Sequence, residues 1–174
     1  MARASRPGGR CLAFAATLVA FCGAAHADQA AESDLKTAYA YNFVVLSTWP
    51  AGAHAALRFC VAGAQPGSTA FHVLGGKGAG DRSLSVINVP SPDRVADCQI
   101  LYILPAESKR LDAWLAAVAK QPTLTISDEG AGPGAMVNLR RAGSQIVFDV
   151  DTRAAAAAHI GLSSQLIKLA ATRQ

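Results

Sequence analysis

Four side chains supply the residue types of a serine hydrolase: Ser127, Asp128, His72 and His159. In that chemistry a serine hydroxyl attacks an acyl carbon while a histidine, oriented by a carboxylate, removes its proton. The sequence lacks the G-x-S-x-G elbow that exposes such a nucleophile before a helix, and neither histidine lies at the carboxyl end of a predicted strand. We therefore predict that the protein is not an enzyme.

Metal and phosphate sites are not predicted either. His54, His72 and His159 are far apart in the sequence and form no i, i+4 pair of ligands. The glycine-rich run GGKGAGDR at residues 75–82 lacks the G-x-x-x-x-G-K-[ST] spacing of a P-loop. We predict that this run is a flexible turn between a helix and a strand, and we expect no cofactor.

Ser127 and Asp128 draw attention by their position. Residues 123–127 predict a short buried strand that runs into an aspartate and a glycine-rich loop at residues 128–134. Ligands and partners of open α/β sheets bind at the carboxyl ends of the strands, so a crevice there would have both residues at its rim. The alternative is structural, because serine and aspartate side chains also cap loops by bonding to the backbone.

The chain begins with the features of a secretory signal peptide. Three arginines precede an apolar run at residues 11–25, and Ala25-His26-Ala27 fits the small-x-small pattern of a cleavage site. We predict a cleaved leader, residues 1–27, and a mature periplasmic chain, residues 28–174. The apolar run is shorter than the ~20 residues that span a bilayer, so a retained anchor is the lesser alternative and no membrane insertion of the mature chain is predicted.

Removal of the leader changes the charge and the expected size. The formal charge of +4 loses three arginines and no acidic residue, which leaves +1. A nearly neutral chain offers no electrostatic footprint for nucleic acid. The remaining 147 residues (174 less 27) suit one domain with its own core, and no linker or internal repeat divides them.

The predicted mature chain has two cysteines, Cys60 and Cys98, because Cys11 and Cys22 lie in the predicted leader. Each lies in a strand-like run, and neighbouring strands can bring two Cα atoms within bridging distance. In an oxidising compartment the favoured interpretation is a structural disulfide, which for a loop of this length stabilises by roughly 4 kcal/mol. A redox switch or a thiol ligand is the alternative, although the sequence has no C-x-x-C spacing.

Strands and helices must alternate to position these residues. Apolar residues at three- and four-residue intervals predict an amphipathic first helix at residues 33–49, ended by Pro50. The alternation predicts an α/β fold with a mixed, mostly parallel central sheet, helices on both faces, and a C-terminal β-hairpin plus helices. The further predicted elements are strands at residues 57–62, 83–89, 98–104 and 123–127, helices at 68–74 and 105–120, a hairpin at 136–139 and 145–150, and two closing helices capped by Thr152 and Ser163.

Several short segments, taken together and in order, resemble the YfiR family. The resemblance covers nearly the whole mature chain. The segments are Leu35-Lys36, Tyr41-Asn42-Phe43, Trp49-Pro50, Phe59-Cys60-Val61, Leu124 to Asp128, Gly134 to Asn138, and Gly161 to Ala170.

The resemblance implies a regulatory binding protein. Members of the YfiR family are periplasmic α/β proteins that tend to dimerise and that repress a membrane-bound diguanylate cyclase by binding its periplasmic sensor domain. The implied effect is lower cyclic-di-GMP signalling and control of biofilm formation. A cell-envelope lipoprotein in the outer membrane that sequesters the repressor is a further implied partner, and the alternative function is a periplasmic small-ligand sensor.

The resemblance also directs attention to particular residues. It implies a disulfide between Cys60 and Cys98. Because loss of a disulfide of this loop size lowers folded stability, we hypothesise that its reduction weakens folding and so relieves repression. Two positions depart from the family pattern, since Ala135 replaces a glycine and Asp151 replaces an asparagine, and contacts inherited near Asp151 are therefore in doubt. The residues expected to contact a partner or ligand are Tyr41, Asn42, Trp49, Ser127, Asp128 and Asn138.

Overall fold

A computed structural model describes Met1 and residues 22–50, 56–69 and 71–173 of the chain. The first helix, α1, runs from Cys22 to Val45. Most of the expected leader lies outside the described residues, and α1 includes its last few. No helix within the described part of the chain is long and apolar enough to cross a membrane.

A mixed, mostly parallel sheet of eight strands forms the centre of the molecule, as the sequence predicts. A separate two-stranded sheet joins β1 (Ser47–Thr48) to β9 (Gly161–Leu162). The strands of the large sheet are β2 (Ala56–Ala62), β3 (Gly78–Ala79), β4 (Arg82–Val89), β5 (Ile100–Ile103), β6 (Leu124–Ser127), β7 (Val137–Ala142), β8 (Gln145–Val150) and β10 (Thr172–Arg173).

Strand order places the predicted hairpin at one side of a parallel core. The order across the sheet is β10-β8-β7-β6-β5-β2-β4-β3. Pairing is parallel from β4 through β2, β5 and β6 to β7, whereas β7 and β8 pair antiparallel. The middle strands β5 and β6 are buried along their whole length, which is typical of parallel strands covered on both faces.

Helices cover both faces of the sheet. On one face α1 packs together with the closing helices α3 (Thr152–Ala157) and α4 (Ser164–Leu169) over a core that includes Phe59 and Phe148. On the other face α2 (Leu111–Val118) places Trp114 against the strands beside Cys60 and Cys98. The two sheet faces therefore carry two separate apolar cores.

The first helix ends earlier than its apolar pattern predicts. The α-helix ends at Val45, and the N–H of Leu46 makes one more bond to the carbonyl of Asn42 at 2.9 Å. The next residues form β1, which pairs Ser47 with Leu162 and Thr48 with Gly161. A Cβ atom on Gly161 would collide with the Thr48 hydroxyl, so a glycine permits this close approach. Pro50 follows a strand rather than a helix, and the prediction of a helix to Trp49 is wrong.

Two other helix predictions are corrected by the backbone. Among the described residues of the helix expected at 68–74, which leave out residue 70, the 3-10 turn His72–Leu74 is the one helical segment, because Phe71 adopts the left-handed conformation with φ 63°. The helix expected from residue 105 begins as a 3-10 segment, Pro105–Arg110, and α2 follows only after Arg110 leaves helical geometry at φ −117° and ψ 9°.

Side-chain caps start the last two helices. Ser163 accepts a hydrogen bond from the backbone N–H of Leu166 at 3.1 Å, which confirms its predicted role. The cap of α3 is Asp151, which accepts from the N–H of Ala154 at 2.9 Å, and the prediction of Thr152 as the cap is one residue late. Asp151, one of the two departures from the family pattern, thus has a structural role.

The cysteines form the expected disulfide. Cys60 lies in β2 and Cys98 just before β5, and the neighbouring strands place their Cα atoms 5.9 Å apart. Both are almost fully buried in the core beside α2, at 0% and 2% exposure. The bond therefore joins two central strands from within the protein interior.

Candidate functional site

Asn138 organises the glycine-rich loop that follows β6. Its side-chain oxygen accepts hydrogen bonds from the Ser127 hydroxyl at 2.9 Å and from the backbone N–H groups of Gly134 and Ala135, both at 3.0 Å. Its side-chain nitrogen donates to the carbonyl of Ala135 at 2.7 Å. One half-buried amide thus fixes the end of β6, the loop and the start of β7 together.

The expected crevice above Ser127 and Asp128 is filled by the loop itself. Ser127 is 0% exposed and Asp128 4% exposed, and the loop residues Ala131 and Ala135 are buried with them. Gly134 makes this close packing possible, since its φ of 125° is accessible to glycine and an added Cβ would meet Leu115 at 3.3 Å. The loop is a lid packed onto the strand ends rather than the wall of an open site.

Lys36 connects α1 to the carboxyl end of β6. Its ammonium group lies 3.0 Å from a carboxylate oxygen of Asp128, 2.8 Å from Glu32 and 3.8 Å from Glu129. The Lys36 side chain is only 14% exposed and that of Asp128 only 5%. Removal of one partner from a nearly buried charge pair strongly destabilises the folded protein, because the other charge is left buried and unpaired.

Arg141 closes the charged cluster from the hairpin side. Its guanidinium binds both carboxylate oxygens of Glu129, at 2.6 and 2.9 Å, and a carboxylate oxygen of Glu32 at 2.9 Å. Two cations and three carboxylates, from α1, the loop and β7, therefore form one network that we call the charged clasp: Glu32, Lys36, Asp128, Glu129 and Arg141.

The pKa shifts in the clasp follow from burial and charge. Burial raises the pKa of Asp128 above its ordinary value, against the opposing effect of the Lys36 ammonium. Burial by itself would lower the pKa of Lys36, but hydrogen bonds to Glu32 and Asp128 outweigh it and the pKa is raised. Hydrogen bonds from Lys36 and Arg141 lower the pKa of Glu32. Lys36 is therefore held as a cation and Glu32 as an anion.

Tyr102 lies beneath the clasp with an unpaired hydroxyl. The side chain is fully buried between Phe59 and Phe71. Its hydroxyl lies near the Asp128 carboxylate, but no contact among the described residues has the distance and angles of a hydrogen bond. Burial, reinforced by the negative charge of nearby Asp128, raises the pKa of Tyr102 well above its ordinary value. The phenol is thus a neutral, buried group throughout the physiological range.

The six predicted contact residues do not come together in one place. Ser127, Asp128 and Asn138 lie at the lid, where Ser127 and Asn138 bond to each other. Trp49 is 9% exposed and donates from its indole nitrogen to the carbonyl of Gln99 at 3.1 Å, at the amino end of β5. Structural bonds are thus the roles that the geometry gives to these four residues.

Tyr41 and Asn42 differ from the other predicted residues in their surroundings. The Tyr41 hydroxyl donates to the carbonyl of Gly78 at 2.7 Å, and the Lys77 ammonium lies 5.3 Å from the centre of its ring. Tyr41 is therefore half-buried against β3. Asn42 is exposed, and it lines a groove of about 180 Å³ between α1 and α4 with Val45 and Leu169.

The first helix carries an exposed stripe of side chains, of which the six predicted contact residues include only Asn42. Ala31, Leu35, Tyr39, Asn42 and Val45 recur at intervals of three and four and line two adjoining grooves. Leu35 is 43% exposed and Val45 is 46% exposed. The side of α1 that packs on the core is supplied by Ala40, Phe43 and Val44. The apolar residues of the stripe extend the apolar surface of the helix beyond that side, and this excess is the sequence signal for the stripe.

Residues 33–171 match the YfiR/HmsC-like family model. The chain belongs to the YfiR/HmsC-like family. A comparison with curated proteins gives no match. The family match covers α1 from Ser33 and continues to the residue before β10, so it includes the lid, the clasp except Glu32, and all of the α1–α4 groove.

Membership of the YfiR/HmsC-like family agrees with regulation rather than catalysis as the role of this domain. The hydroxyl of Ser127 donates to Asn138, and neither His72 nor His159 is a partner of it in the structure. His54 lies outside the described residues. Within the described part of the chain, no group of three or more histidine, cysteine or acidic side chains is arranged to hold a metal ion.

Proposed function

We propose that the protein is a periplasmic regulator that binds the sensor domain of an inner-membrane diguanylate cyclase and represses it, which lowers cyclic-di-GMP signalling. The observation that carries the proposal is the YfiR/HmsC-like match over residues 33–171. That match spans every strand of the large sheet except β10. The predicted leader at residues 1–27 would deliver the mature chain to the periplasm.

The polar side chains of the lid and the clasp bond to other groups of the protein, whereas apolar side chains remain exposed, and this distribution supports a binding role. Ser127, Asp128 and Asn138 form bonds within the protein, and Lys36 and Arg141 are occupied by carboxylates. Exposed apolar side chains line the α1 stripe and the neighbouring α4, where Leu169 is 63% exposed. Clustered exposed apolar groups are typical of protein–protein contact sites.

Repression by such a protein is a shift of populations. A regulator holds a sensor domain in its inactive conformation only to the extent that it binds that conformation more tightly than the active one. Each tenfold preference corresponds to about 1.4 kcal/mol. The regulator therefore needs a specific surface but no reactive group.

Co-purification tests this proposal. Residues 28–174 would be mixed with the isolated periplasmic domains of the inner-membrane cyclases of the same cell, and we expect one domain to be retained. Asn42→Arg places a long cation in the α1–α4 groove and should reduce retention. Asn88→Arg is the matched control, because Asn88 is an exposed asparagine on β4 at the other side of the sheet.

Retention of no cyclase domain would contradict repression by direct binding. It would favour the alternative function, a periplasmic small-ligand sensor. That function predicts that one compound of a metabolite panel raises the melting temperature of residues 28–174. The observation in its favour is the open groove of about 800 Å³ beside α1, which is lined by Glu32, Tyr39 and Arg141.

A further inference from the structure

The large groove beside α1 has a strand edge as one wall. It lies between the stripe residues Ala31, Leu35 and Tyr39 and the hairpin residues from Arg141 to Val147. In the large sheet β8 pairs with β7 on its inner side, and on its outer side β10 pairs only with Asp149 and Val150. Among the described residues, no strand pairs with the outer side of β8 at residues 145–147.

The backbone groups of Ile146 face this open side. The Ile146 carbonyl accepts the Tyr39 hydroxyl at 3.2 Å rather than a strand partner, and the Phe148 carbonyl accepts the N–H of Ala171 at 2.8 Å. The N–H and C=O of one residue in an antiparallel strand point to the same side. The N–H of Ile146 is therefore directed into the groove beside its carbonyl.

We propose that an extended segment of the partner's periplasmic domain adds as a strand to the outer edge of β8, between the hairpin turn and β10, with every second side chain directed under α1. The inference rests on the proposed function and specifies the kind of contact. At this edge the N–H and carbonyl of Ile146 have no strand partner in the described part of the chain, although the carbonyl accepts the Tyr39 hydroxyl, which an added strand would share or displace. Such backbone groups are complementary to another strand, and β10 already pairs with this same edge.

The walls of the groove limit what the segment can be. The open edge from Ser144 to Phe148 has room for about four residues at ~3.3 Å each. A residue opposite Ile146 would direct its side chain to the face that α1 covers, beside Leu35 and Tyr39, so an apolar residue fits there. The groove continues into the α1–α4 groove through Tyr39, which lines both. The strand contact thus extends the surface proposed for Asn42.

Hydrogen exchange in the complex tests the strand contact. The probe is the cyclase periplasmic domain that co-purifies with residues 28–174, and we expect it to slow amide exchange in the peptide that contains residues 144–148. Leu35→Lys puts a charge into the groove from an exposed helix position and should weaken binding about tenfold or more. Val73→Lys is the matched control, because Val73 is 65% exposed and lies outside the groove.

Two outcomes would overturn the strand contact, and they differ in what they say of the function. A complex that forms with unchanged exchange at residues 144–148, and that tolerates Leu35→Lys as well as Val73→Lys, would exclude this edge while leaving the cyclase proposal intact. Retention of no cyclase domain by the unmodified protein would contradict both proposals.

Discussion

At the scale of single residues, Asn138 and Tyr102 differ in what their polar groups contribute to the stability of the fold. Asn138 forms four hydrogen bonds at the lid, whereas the hydroxyl of Tyr102 forms none among the described residues. The two residues therefore make opposite predictions. Removing the Asn138 amide should be costly, and removing the Tyr102 hydroxyl should not.

Asn138→Ala should lower the free energy of unfolding by about 2 to 4 kcal/mol, since each hydrogen bond contributes about 1 kcal/mol and Ser127 would be left buried without its partner. Urea unfolding of residues 28–174 measures this change. Asn88→Ala is the control, because Asn88 donates a single long hydrogen bond of 3.4 Å from the surface. Equal, small effects of both substitutions would contradict the organising role of Asn138.

Tyr102→Phe should leave stability at neutral pH unchanged or slightly increased, because an unpaired buried hydroxyl is removed. The raised pKa of Tyr102 also predicts a pH effect with a definite sign. The stability contributed by the neutral phenol is complete below the unfolded-state pKa of about 10 and is lost as the pH rises above it. Stability at pH 10.5 relative to pH 7 should thus fall less in Tyr102→Phe than in the unmodified protein.

Tyr39→Phe is the control for that comparison. Its hydroxyl donates to Ile146, so its loss should cost about 1 kcal/mol at neutral pH. The predicted loss of stability between pH 7 and pH 10.5 should persist in Tyr39→Phe because Tyr102 remains. An alkaline fall that is the same in Tyr102→Phe as in the unmodified protein would assign it to other groups.

At the scale of elements, the charged clasp joins α1, the lid and β7. Lys36 is the only cation within 4.0 Å of the Asp128 carboxylate among the described residues, and Glu32, Glu129 and Tyr102 are the other titratable groups beside the pair. Arg141 binds the cluster from its exposed side. The clasp thus fixes the part of α1 that forms one wall of the large groove.

Lys36→Met should destabilise the protein by about 3 kcal/mol at pH 7, because it leaves the Asp128 charge buried without a cation. The pKa of Asp128, already raised by burial, should rise further. A group with a raised folded-state pKa contributes stability at low pH that is lost as the pH rises. The deficit of Lys36→Met should therefore shrink as the pH falls from 7 towards 4.

A double-mutant cycle isolates the pair. Asp128→Asn removes the carboxylate charge, and in the double variant with Lys36→Met no buried charge remains unpaired. We expect the double variant to be more stable than Lys36→Met alone. Strict additivity of the two substitutions would show that the contact at 3.0 Å contributes nothing specific.

Sequence patterns specify the elements better than they specify the site. Parallel strands and the hairpin follow from apolar runs and turn residues, and Ser163 follows from capping preference. The early end of α1 depends on pairing between Ser47 and Leu162, residues far apart in sequence. The lid over Ser127 and the pairing of Lys36 with Asp128 also depend on distant contacts, which no local pattern contains.

At the scale of the whole molecule, the buried disulfide ties the parallel core together. The bond spans 38 residues of sequence, so its loss should cost about 4 kcal/mol by the chain-entropy estimate. Cys98→Ser should therefore lower the melting temperature and, through it, the fraction of folded regulator that can bind a partner. A variant that keeps both its melting temperature and its partner affinity would contradict redox control through this bond.

Because both cysteines are buried, folded protein should resist reduction. Mild reductant should leave partner binding intact at temperatures where the fold is stable, and binding should fall only when reduction is combined with warming. Thiol labelling of samples taken from the same binding reactions would show whether loss of binding follows loss of the bond. Binding lost while the bond is still intact would point to another cause.

The central claim is repression of a diguanylate cyclase by this protein. The most direct test is the cyclic-di-GMP content of cells that lack the protein, compared with the same cells supplied with it or with its Asn42→Arg variant. We predict that cyclic-di-GMP rises when the protein is absent, returns to the original level with the unmodified protein, and stays high with Asn42→Arg. A cyclic-di-GMP level that is unchanged by removing the protein, in cells that express the cyclase it binds, would contradict the account.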